Sequence, residues 1–132
     1  MRKEMLNASG CPDPTAYKAI KNISYMPIIY ICSPYRGDVE RNTELARGYS
    51  KFAVCKGAIP ITPHLVFPQF LDDDNEADRK HAIRMNLILL DRCEEIWVFG
   101  DRISEGMATE IERAKKRNMI IKHFTKDLKE VR

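Results

Sequence analysis

The sequence predicts an α/β domain, a parallel sheet of four or five strands between two layers of helices. Three observations predict it. Short β-branched apolar runs alternate with stretches of helical period. A full-length helix separates each run from the next, so neighbouring strands cannot pair as hairpins and should run parallel. At 132 residues and 44% hydrophobic content, the chain can build one core.

The elements follow in order. Ile28-Ile29-Tyr30-Ile31-Cys32 is apolar without interruption, as a strand buried on both faces should be. A helix is predicted from about Val39 to Lys56, where Leu45, Tyr49, Phe52 and Ala53 make one apolar stripe and Gly57 follows as the stop. Ala58–Thr62 reads as the second strand, and Pro60 places it at or near a sheet edge. After the irregular stretch 63–75, a second helix is predicted from about Glu76 to Arg92, with Ile83, Leu87 and Leu90 on one face. Glu95–Phe99 is the third strand. A third helix, capped by Ser104, turns Met107, Ile111 and Ala114 inward, and Met119–His123 is the fourth strand. Residues 1–26 are set apart as an appendage with a short helix from Pro14 to about Asn22, leaving 27–132 as the α/β domain.

Composition narrows the partners. Net charge is +3 with both signs interspersed. The basic tail (Arg113, Lys115, Lys116, Arg117, Lys122, Lys126) lacks interleaved aromatics, so it reads as a solvated helix face and not as a groove for a nucleic-acid polymer. No apolar run approaches the ~20 residues of a membrane span. No signal peptide is visible behind the charged start. Cys11, Cys32, Cys55 and Cys93 form no Cys-x-x-Cys pair, and three lie in apolar segments; the expectation is buried free thiols in a reducing cytoplasm. His64, His81 and His123 share no metal-ligand spacing, so neither metal nor cofactor is expected.

Ligands of open parallel sheets bind beyond the carboxyl ends of the strands. That selects three loops. Ser33, Tyr35, Arg36 and Gly37 lie between a buried strand and a helix, where an anion is favoured. His64 and Phe67 in the middle loop offer rings for a planar base, and Asp72–Glu76 reads as capping and solvation. At the third loop, Ser104 and Gly106 open a helix whose second turn carries Glu110, about 60° from Met107 at the border of the inward stripe.

These residues together resemble the nucleoside 2-deoxyribosyltransferase superfamily over about Ile28–Phe124. The run Tyr30-Ile31-Cys32-Ser33-Pro34-Tyr35 resembles its small bacterial and phage branch, and Ser104-x-Gly106-x-x-x-Glu110 is similar to the catalytic motif of the 2'-deoxynucleoside 5'-phosphate N-hydrolases. The resemblance implies a flavodoxin-like or Rossmann-like three-layer sandwich, Glu110 as nucleophile, and a homodimer or larger assembly. It also implies that Tyr30, Cys32, Arg36 and Gly37 belong to the loop holding a 5'-phosphate. Asn86 stands where that family usually has an aspartate near the sugar and base; an amide can hydrogen-bond a base but cannot protonate it. Asp91 lies on another helix face. The expected activity is hydrolysis or transfer at the N-glycosidic bond of a nucleoside or nucleoside 5'-monophosphate. The alternatives are a non-catalytic nucleotide-binding or sensing module of the same fold, and an interaction domain.

Overall fold

The computed structural model describes residues 25–131. The expected helix over 14–22, and Cys11, lie outside them. Along the chain run β1 (Ile28–Cys32), α1 (Val39–Cys55) and β2 (Ile59–Ile61), then two single 3-10 turns, Pro63–Leu65 and Phe67–Gln69. They are followed by α2 (Glu76–Asp91), β3 (Glu95–Phe99), α3 (Glu105–Lys116), β4 (Ile120–Phe124) and β5 (Glu130–Val131). Each helix starts on a side-chain cap: Asp38, Asn75 and Ser104 accept from the N–H groups of Arg41, Asp78 and Met107. Gly57, at φ +83°, turns the chain out of α1.

The strand order is β2-β1-β3-β4-β5, with the first four parallel. Pro60 accordingly lies in an edge strand. β5 is the difference from expectation: a two-residue antiparallel partner of β4, returned by a turn in which Leu128 adopts φ +68°. Since the chain leaves β1 toward β2 and then crosses back to β3, strand order reverses at the carboxyl ends of β1 and β3. Crossovers of one hand in opposite directions also put α1 on one face of the sheet and α2 and α3 on the other.

The period-2 alternation of the strands sorts the core accordingly. Ile29, Ile31, Trp97 and Phe99 pack with Tyr49 and Ala53 of α1, while Tyr30, Cys32, Ile96 and Val98 face Leu90 of α2 and Met107 and Ala114 of α3. Across the second face, Asp91 clamps α3 to α2: Arg113 donates two hydrogen bonds to its carboxylate, and Arg117 lies 3.3 Å from it. Asp91 is thus engaged with α3 and does not line the cavity at the strand ends.

One expectation is corrected. Cys32 and Cys93 are free and buried, but Cys55 is disulfide-bonded. It lies half-buried in the last turn of α1, between exposed Val54 and Lys56, so the core does not enclose its sulfur. The inference of a reducing compartment, which rested on four free thiols, loses that support. Among the described residues no helix is long and apolar enough to cross a membrane.

Candidate functional site

At the reversal point the loops after β1, β2 and β3 enclose a cavity of about 460 Å³. It brings together Ser33, Tyr35, Arg36, His64, Phe67, Asn86, Ser104, Gly106 and Glu110, which the sequence places in three separate loops and two helices. Gly37 is not in its wall. It sits at φ +100° and shapes the turn into α1.

Glu110 is the one buried carboxyl group among the described residues, 7% exposed. Spacing put it at the border of the α3 stripe. Instead α3 is rotated so that Met107, Glu110 and Ala114 are buried and Ile111 only partly. The Tyr30 hydroxyl, itself enclosed under the sheet, donates to Glu110 Oε2 at 2.6 Å. The Cys32 thiol lies beside the same carboxyl and 3.9 Å from the Met107 carbonyl. It has one proton to donate, and a carboxylate is the stronger acceptor. Burial pushes the Glu110 carboxyl up to about 7, against Tyr30 and Cys32, whose hydrogen bonds pull it down. Near neutral pH this group therefore passes between a protonated and an anionic form.

Ser104 caps α3 at the rim, its Oγ 3.2 Å from the Met107 nitrogen. A Cβ on Gly106 would meet nothing within 4 Å. The glycine leaves room in the cavity and relieves no clash. Two polar atoms of the wall are buried without a partner, Ser33 Oγ and Asn86 Oδ1. Ser33 is 1% exposed. An unpaired buried polar atom costs about 1–3 kcal/mol.

The loop after β1 is tied down by a residue the sequence reading passed over. Asn42, in the first turns of α1, donates from Nδ2 to the carbonyls of Tyr35 and Arg36, both at 3.1 Å. Arg36 Nε lies 3.0 Å from Asp73 Oδ2, both side chains being partly exposed, so an anion at the guanidinium would compete with that carboxylate. The acidic run thus does more than cap and solvate: Asn75 caps α2, and Asp73 bridges two loops. His64 stacks on Tyr35 with ring centroids 5.1 Å apart and donates from Nε2 to the Ser33 carbonyl at 3.1 Å. Its burial lowers its pKa, only partly offset by that bond and by Asp73, which keeps the ring neutral. Phe67 packs edge-on against Phe70.

The wall carries Asp72, Asp73, Asp78, Glu105 and Glu110 but only Arg36 and Arg79 as cations. In formal charge it is acidic, opposite in sign to the chain as a whole. Among the described residues no group of three or more His, Cys, Asp or Glu is disposed to hold a metal ion.

A mostly parallel sheet with helices on both faces and a cavity at its reversal point defines an α/β protein of flavodoxin-like fold. Over residues 27–124 the chain matches the family described as Domain of unknown function (DUF7768), and it belongs to that family. No curated protein matches it in sequence. Among solved structures it is similar to a 2-deoxyribosyltransferase from the psychrotolerant bacterium Bacillus psychrosaccharolyticus, with a TM-score of 0.62 and 14% identity. The likeness covers 74% of this chain and 72% of that one, and at such identity it establishes a shared fold.

Proposed function

We propose that the protein cleaves the N-glycosidic bond of a nucleoside or nucleoside 5'-monophosphate, with Glu110 as the nucleophile. The observation that carries this reading is a buried, Tyr30-bonded carboxyl opening on a cavity with two unpartnered polar atoms. The anionic carboxylate attacks C1', the bond to the base breaks, and a glycosyl-enzyme forms. Water then makes the reaction a hydrolysis, and a second base makes it a transfer. The base lies toward His64 and Phe67, and the sugar approaches the α3 start over Gly106. The 5'-end points to Ser33–Gly37, where a phosphate would draw Arg36 from Asp73. The shared fold with a 2-deoxyribosyltransferase supports the same substrate class.

The test is chromatography of free base after incubation with a panel of ribo- and deoxyribonucleosides and their 5'-monophosphates. Wild type should release base, faster as pH rises through about 7 and Glu110 ionises. Glu110→Ala should be slower by roughly 1,000-fold or more, as expected when a nucleophile is removed. Because Glu110 is buried, circular dichroism must show the variant folded. An unchanged rate in a folded variant refutes the assignment. A second reading, a binding module without catalysis, is favoured by Asn86, which stands in the wall as an amide. Tight nucleotide binding by calorimetry with no release from any nucleoside or nucleotide, whether its base is neutral or positively charged, would establish it.

A further inference from the structure

Retaining chemistry at a glycosidic bond ordinarily takes two groups, a nucleophile and an acid that protonates the departing atom. This cavity supplies the first. Glu110, the one buried carboxyl among the described residues, cannot attack and protonate at once. Asn86 stands in the wall with its Oδ1 buried and unpartnered, and an amide has no acidic proton to give. His64 is held neutral, its Nε2–H spent on the Ser33 carbonyl. Tyr30 already donates to Glu110. Asp73 is engaged by Arg36, and Asp78 Oδ2 accepts from the Asp72 nitrogen. The wall is nonetheless acidic, which suits a cation.

Resting on the reading of Glu110 as nucleophile, we propose that the substrate's leaving group is already positively charged in the ring that bears the glycosidic nitrogen. N-glycosyl pyridinium and ring-alkylated purine nucleosides have this chemistry; ordinary nucleosides do not. A Glu110 oxygen bonds to C1' while the C1'–N bond breaks. Its electron pair passes to the ring, cancels the charge and lets the base leave neutral with no proton added. Water then attacks C1', the ester C–O bond breaks to return the carboxylate, and the proton of water goes to solvent. Asn86 stands in the wall without a proton to give the base, and the acidic wall attracts the charged ring.

The experiment compares nicotinamide riboside and 7-methylguanosine with uridine and guanosine, each as the ribosyl and the 2-deoxyribosyl compound. Base release is expressed as acceleration over the buffer rate, which removes the greater lability of charged nucleosides. Acceleration should be at least about 100-fold greater for the charged compounds, the lower end of what proton transfer contributes. It should disappear in Glu110→Ala. Comparable acceleration of uridine or guanosine, lost in that variant, overturns the inference while the nucleophile assignment stands. No acceleration of any compound overturns both.

Discussion

The two faces of the sheet are built from alternate residues of the same strands, yet they serve opposite ends. Toward α1 the sheet closes on aromatic rings: Phe99 stacks on Tyr49 at 4.3 Å and on Phe124 at 5.0 Å, with Phe52 edge-on to both Phe99 and Phe124. Toward α3 the same strands present Tyr30 and Cys32, and α3 answers with Glu110. One face accumulates stability by burying rings. The other uses some of it to hold a carboxyl and a hydroxyl away from water. The fold supports a costly face because the opposite face is uniformly apolar.

The largest effect that would test this contrast is Phe99→Ala. Removing a fully buried ring should cost about 3–5 kcal/mol in urea unfolding. A loss under about 1 kcal/mol would mean that the aromatic face is not where stability resides. Next is Glu110→Gln. The folded-state pKa of Glu110 is raised from an ordinary 4.5 to about 7, so its contribution is fully present below 4.5 and is lost as pH rises through about 7. The variant does not titrate, and should become the more stable protein by up to roughly 3 kcal/mol between about pH 5 and about pH 8. A gap that stays constant with pH would show that the carboxyl is not strained by burial. The smallest effect is Ser33→Ala. Deleting an unpartnered hydroxyl should stabilise the protein, by up to about 1–3 kcal/mol less what the vacated space costs. Clear destabilisation would instead reveal a partner for Ser33 within the protein.

The sequence made the apolar side of this contrast easy to read, and half of the other side. β1 and β3 were legible because strands buried on both faces are apolar throughout, and α1–α3 because their stripes and caps are local. β5 was not, since two residues pairing with β4 after a turn without glycine leave no periodic trace. Glu110 was legible from its spacing to Ser104 and Gly106, but its burial was not. A stripe drawn through apolar residues selects Ile111, and the rotation of α3 is set by packing and by Tyr30. Tyr30 and Cys32 were named only through the resemblance, as part of a phosphate loop, and nothing local in their apolar run marks them as neighbours of Glu110. The Arg36–Asp73 pair and the Asn42 clamp depend on how loops return over one another, so opposite charges far apart in sequence gave no notice of them. Cys55 was misjudged because an apolar neighbourhood in sequence was equated with enclosure in the core.

The hydrogen bond between Tyr30 and Glu110 joins residues 80 positions apart. β1 waits for β2 on one side and for β3 on the other, and contacts of such long range form slowly. A chain emerging from the ribosome at about 5–20 residues per second presents Tyr30 for several seconds before Glu110 exists. During that interval the first strand, apolar on both faces, has neither its second neighbour nor its acidic partner. The residues that pair beneath the candidate site are thus among the last to be sheltered as the chain is made.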